Sequence, residues 1–308
     1  MTVNGSKKNH FAKKNVVKLL WKTAPEIEQK FEIVDGDTIA KGKLHCGYRH
    51  GIWQYFYRNG QIQEEDNFHM GKPDGKYKAW YEDGALKETG EYSKGSREGK
   101  LTFYYQNGKT KKVVEYKNNL KDGTYEKYHE DGSPDYKATY VENELSGPFS
   151  YFYEDGTLKE EGAHDLGKIE GPLKGYYEDG KLFFEANVHK DQKHGAYIGY
   201  YRSGPKYIET NYTMGKIDGP YIEYHKNGEI AVISSFSKGV ENGNYSSTFP
   251  NGQLRIKGQK KNGTKIGYWE EYYSNGKLKS KGNFSNDAKK VDKWFEWDEN
   301  GKKTKTKY

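Results

Sequence analysis

The chain has a single cysteine, Cys46, in 308 residues, so no intramolecular disulfide can form and nothing marks an oxidising compartment. Proline is scarce, with 8 residues, and hydrophobic residues make up only 33%. No stretch approaches the ~20 apolar residues of a membrane-spanning helix. The apolar run Val16, Val17, Leu19, Leu20 and Trp21 is short, is broken by Lys18 and lacks a small-residue cleavage site. A signal peptide is therefore not expected, and the reading is cytoplasmic. Catalytic signatures are missing too: there is no Gly-x-Ser-x-Gly, no phosphate loop, no His-Glu-x-x-His and no cysteine pair. The nine histidines scatter, the nearest pairs being His45 with His50 and His189 with His194, without further ligands at metal spacing. The expectation is a protein that is not an enzyme and holds no cofactor or metal.

Few aliphatics and 31% charged residues would suit a disordered chain. Against that stand 29 tyrosines and 37 glycines, a combination that fits half-exposed β-structure with many tight turns. The net charge of +7 sits at the ends: residues 1–30 hold seven lysines against two acids, and residues 260–308 thirteen against seven. The body between them is mildly acidic, which is no nucleic-acid footprint.

The glycines carry the organisation. They recur at 51, 75, 99 and every 24 residues to 267, and again at 36, 60, 84 and every 24 residues to 276, with Gly301 one residue late. A fixed period of this length means a repeat array. Before the second glycine stands Asp35, Asn59, Asp83, Asn107 and so on, nearly always Asn or Asp. Asn-Gly and Asp-Gly are strong hairpin signals, and a type I′ turn is expected at each. A third series, Gly47, Gly71, Gly95, Asn119, Asn143, Gly167 and Asp191 onward, predicts a left-handed residue in the connection between hairpins.

A two-residue turn at Asn59-Gly60 would pair 57 with 62, 55 with 64, 53 with 66 and 51 with 68, all on one face. The 53 series is large and mostly aromatic (Trp53, Tyr77, Leu101, Tyr125, Phe149), whereas the 51 and 66 series are small, leaving room for rings. The other face is mainly charged but bears its own stripe: Trp80, Tyr104, Tyr128, Phe152, Tyr176 and Tyr200, interrupted later at Thr248. These six are the candidate partner-binding residues, with packing on Lys and Glu stems as the alternative role for them. The predicted fold is all-β: an elongated, twisted antiparallel sheet of about eleven 24-residue β-hairpin repeats over residues 31–308. Residues 1–30 are expected to cap one edge, with a short helix start at Thr23-Ala24-Pro25-Glu26. The C-terminal lysines 302, 303, 305 and 307 are expected to block the other.

The unit from Gly90 to Gly108, GEYSKGSREGKLTFYYQNG, resembles the MORN repeat and its bacterial variant found in YwqK-type antitoxins and immunity-like proteins. The resemblance covers residues 31–308; Asp292, in place of the unit glycine, departs from it. It implies a bacterial protein-binding repeat protein, an antitoxin or immunity protein that sterically blocks a toxin. Two alternatives stand beside it: a structural scaffold or membrane-surface module with lysine-rich ends on anionic lipid, and a glycan-binding array of stacked rings.

Overall fold

The computed structural model describes residues 27–307, so the expected helix start at residues 23–26 and most of the expected cap lie outside the described residues. Those described contain no helix and form a single antiparallel sheet of 27 strands. Neighbours in sequence are neighbours in the sheet. Asp37–His45 pairs with Ile27–Val34 on one side and Tyr48–Phe56 on the other, and the pattern repeats to the end. The sheet does not close: Ile27–Val34 pairs only with Asp37–His45, and Lys303–Lys307 only with Lys290–Trp297.

Two kinds of turn alternate, and their assignment differs from the sequence expectation. At Asn59-Gly60, Gly60 N–H donates to the Tyr57 carbonyl and Tyr57 N–H to the Gln61 carbonyl, both at 2.9 Å. Of the pair only Gly60 takes positive φ, at 84°. This is a three-residue loop, a type I turn closed by a left-handed glycine, rather than type I′. Asn59 earns its place through its side chain, whose Oδ1 accepts the Gln61 N–H at 3.0 Å. The two-residue turns with positive φ at both positions lie at the connections instead, for example Lys94-Gly95 at 50° and 92°. Asp35-Gly36, at 55° and 93°, is the one Asp-Gly pair that follows the expectation. The last connection runs through Ser285 to Lys289 with Ala288 at φ 57°, in the longer three-residue form, which absorbs the single inserted residue.

The longer loop shifts the register. Gly51, Trp53 and Tyr55 face Phe68, Asp66 and Glu64 as expected, but a bulge then sets Phe56, not Tyr57, opposite Ile62. Tyr57 is thereby freed to point along the turn edge. The Gly51 series is also there for a reason other than room: a Cβ at Gly51 would meet nothing within 4 Å, but its φ is 70°. Asp292, which stands in that series, adopts the same conformation at φ 64°.

The core is the 53 series. Trp53 is 1% exposed, and Leu101, Phe149 and Trp269 are each 2% exposed. The small residues opposite make this possible. A Cβ on Gly42 would fall inside the Trp53 indole, and one on Gly258 inside that of Trp269. Burying each such side chain is worth about 1.5–3 kcal/mol. No unit has a second layer, so each ring is covered by its neighbours and by long stems laid across it. Arg49 lies 4.5 Å from the Trp53 ring, Lys193 4.1 Å from Tyr197 and Lys265 4.4 Å from Trp269.

Candidate binding faces

The six stripe residues are reached by a regular route. Each is the last residue of the first strand of its hairpin, as Trp80 is of Gly75–Trp80 and Tyr176 of Gly171–Tyr176. The bulge sets each against the first residue of the returning strand: Trp80 against Leu86, Tyr104 against Thr110, Tyr128 against Pro134, Phe152 against Leu158, Tyr176 against Leu182 and Tyr200 against Lys206. All six are half-buried. They form one row on one face, two strand spacings or roughly 10 Å apart. The mostly aliphatic partners, read in the sequence as part of the first face, lie beside the stripe and cover one side of it.

The hydroxyls are fixed. Tyr176 donates to Glu161 at 2.7 Å, Tyr200 to Glu185 at 2.8 Å and Tyr224 to Glu209 at 2.5 Å. Each acid lies 15 residues upstream on the neighbouring strand, so the pattern is generated by the repeat. Tyr128 uses Glu126 of its own strand, at 2.7 Å. Burial, then the bond to Glu161, pushes the Tyr176 phenol up to about 12. The same causes act on Tyr200 through Glu185 and on Tyr128 through Glu126, again to about 12. For Tyr224 the bond to Glu209 is the larger cause, with burial second, and the result is again about 12. These phenols stay protonated at neutral pH and present ring faces whose rotamers are held.

The stripe is interrupted at Thr248, and the same hairpin carries a feature that the sequence reading missed. A cavity of about 470 Å³ opens on the stripe face, lined by Ile233, Asn244, Ser246, Lys257, Gln259 and Tyr268. Ile233 is 44% exposed and Tyr268 49% exposed. The signal in the sequence was Ser246, small where Ile222 stands one unit before and Glu270 one unit after.

The turn edge is structural. Tyr57, Tyr81, Tyr105, Tyr153, Tyr177 and Tyr201 each donate to the backbone carbonyl 23 residues on, at 2.7–2.8 Å. His225 takes the same role, its Nε2 lying 3.1 Å from the Thr248 carbonyl. The asparagines add a second rung, Asn59 donating to Glu82 and Asn107 to Glu130. Of the histidines singled out in the sequence, His45 and His50 lie with ring centroids 5.2 Å apart, and His189 hydrogen-bonds Glu170. Among the described residues no group of His, Cys, Asp and Glu is placed to hold a metal ion. Cys46 is exposed, in a turn.

Comparison with known proteins agrees with this geometry at the level of the repeat. The MORN repeat variant family matches residues 49–70, 73–94, 97–118, 121–142, 145–164, 169–190, 217–238 and 265–286, more than half of the chain. No curated protein matches. Among solved structures, TcdB2-TccC3-Cdc42 is 10% identical over 86% of this chain, with a TM-score of 0.20. The Tc holotoxin pore of Photorhabdus luminescens is 11% identical over 89%, with a TM-score of 0.20. The chain spans 17% of the length of each of these.

Proposed function

The chain belongs to the MORN repeat variant family, and on that premise we propose that it is a protein-binding repeat protein acting by steric cover rather than by catalysis. The observation that carries this reading is the row of half-buried rings whose hydroxyls are locked to Glu161, Glu185 and Glu209. Rigid amphipathic rings bury large area on association at little cost in rotamer entropy. The cavity beside Tyr268 adds a concave feature to the same face, suited to a single inserted anchor from the partner. Within this reading the specific role we propose is that of a cytoplasmic bacterial antitoxin or immunity protein that lays this face over a toxin domain.

The test is co-expression with the product of the adjacent gene. Rescue of growth, and loss of rescue in a Tyr176→Ala/Tyr200→Ala variant that still folds, is the expected result. A neighbouring product that is harmless, and does not bind in isothermal titration, overturns the antitoxin role. Flotation with anionic liposomes addresses a membrane-surface scaffold: flotation independent of any protein partner would favour that role instead.

A further inference from the structure

A repeat array advertises function where a series departs from its own pattern. Between the strands Thr110–Lys117 and Leu120–Tyr128, Lys112 lies directly opposite Lys127. No other cross-strand pair in these two series is doubly basic; one hairpin earlier the equivalent pair is Glu88 and Phe103. Like charges directly opposite destabilise a sheet. Lys112 has no carboxylate partner and lies over the Phe103 ring at 4.1 Å, whereas Lys127 is held by Asp135 at 2.6 Å. Burial first, then the neighbouring Lys121, lowers the Lys112 ammonium below its ordinary range. The pair opens onto a cavity of about 300 Å³ that Lys87 and Lys111 also line, with Phe103 and Tyr125 among its walls and no acidic residue. The acid whose charge acts on Lys112 is Glu88, whose carboxylate also accepts the Tyr77 hydroxyl.

We propose that this cavity is an oxyanion site that takes a doubly charged, phosphoryl-type group among Lys87, Lys111, Lys112 and Lys127. Four ammonium groups against the two neighbouring carboxylates, Asp135 and Glu88, leave a net positive charge, and a phosphoryl group supplies both the opposing charge and several acceptor oxygens. The proposal does not depend on which protein the stripe face binds.

Titration calorimetry with inorganic phosphate and pyrophosphate, at constant ionic strength, tests it. One saturable site per chain is expected, weakened about tenfold or more in Lys112→Gln/Lys127→Gln, since a charge-assisted hydrogen bond carries about 1.5–3 kcal/mol. Lys216→Gln, outside the cavity, should bind like the parent. The double variant without anion should melt close to the parent, because the repulsion it loses offsets the Lys127–Asp135 pair and the Phe103 contact it gives up, and its circular dichroism and melting curve show that misfolding does not mask the result. Phosphatidylcholine vesicles with and without phosphatidic acid separate the two sources of such a group. Lys112-dependent binding to the acidic vesicles alone would assign a lipid headgroup, and to the free anions alone a soluble ligand. Absence of saturable binding in every arm, or binding undiminished in the double variant, overturns the proposal.

Discussion

Leu166 holds φ 46° with 73% of its surface in water, so it bears the cost of the left-handed region and gains little burial in return. That conformation costs a non-glycine residue about 1–2 kcal/mol, and least for Asn. Asn118 and Asn262 occupy the same place in other units. Leu166→Asn should therefore raise stability by about 1 kcal/mol, read as a higher urea midpoint with an unchanged slope. Asp66 is a different residue-scale conflict. It faces Trp53 where other units carry Gly90, Ala138 or Gly162, and burial, then the charge of Glu64, raises its carboxyl to about 7. A carboxyl whose folded value lies above its unfolded value costs stability as pH rises from the ordinary carboxylate range towards that value. The parent should lose stability between about pH 4 and 7 through this group, and Asp66→Ala should remove that slope and melt higher at neutral pH. A parallel decline in parent and variant would refute the assignment. Only the first conflict was invisible in the sequence: Leu166 looked like one more variable turn residue, whereas the pairing of 53 with 66 already set Asp66 beside Trp53, and only the depth of its burial had to come from the structure.

At the scale of the element, the period, the hairpin unit and the buried 53 series were legible, because ten equal steps of 24 leave one hairpin per unit as the only regular solution. Turn type was not legible. Asn-Gly serves a type I′ turn and equally a type I turn ending in a left-handed glycine, and only the Tyr57–Gly60 hydrogen bond tells them apart. That one difference moved the Ile62 series to the stripe face and turned Tyr57 from a core ring into a rung between units. The Tyr176–Glu161 bonds and the Lys112–Lys127 pair were hidden for the same reason, since both depend on cross-strand register. The ladder has two weak rungs. Phe249 has no hydroxyl, and the buried His129 Nε2 has no hydrogen-bond partner. Phe249→Tyr and His129→Tyr should each restore a bond to the carbonyl 23 residues on and raise the melting temperature, each by about 0.5–1.5 kcal/mol at the transition. Tyr105→Phe should lower it by a similar amount. If all three variants melt with the parent, the ladder does not hold the units together.

The whole molecule draws its stability from neighbours, because each hairpin is one layer thick and covers the rings of the next. A lesion in the middle should therefore act on more than its own unit. Gly156 is a suitable place: its φ is 84°, and a Cβ there would stand 3.3 Å from Pro134 Cδ in the preceding hairpin. Gly156→Val strains the turn and pushes on the adjacent unit at once, whereas Lys159→Ala removes only an exposed stem over the Tyr153 ring. The glycine variant should melt far lower, and hydrogen exchange should show protection lost on both sides of residue 156 while the terminal units keep theirs. Equal melting of the two variants would refute the turn assignment. Small-angle scattering of the parent should give a maximum dimension above about 80 Å, as strands added at ~4.8 Å each require; a compact globule would contradict the open sheet. The same one-layer construction separates folding from binding on the stripe. Tyr176→Ala/Tyr200→Ala removes two rings and two bonds to Glu161 and Glu185 but leaves Leu173 and Tyr197 buried on the other face. The fold should survive with modest loss, and affinity for a protein partner should fall by several kcal/mol if these rings are anchors. A double variant that unfolds would make the stripe structural, and one that folds and binds like the parent would move the interface elsewhere, with the cavity between Ile233 and Tyr268 as the next surface to truncate.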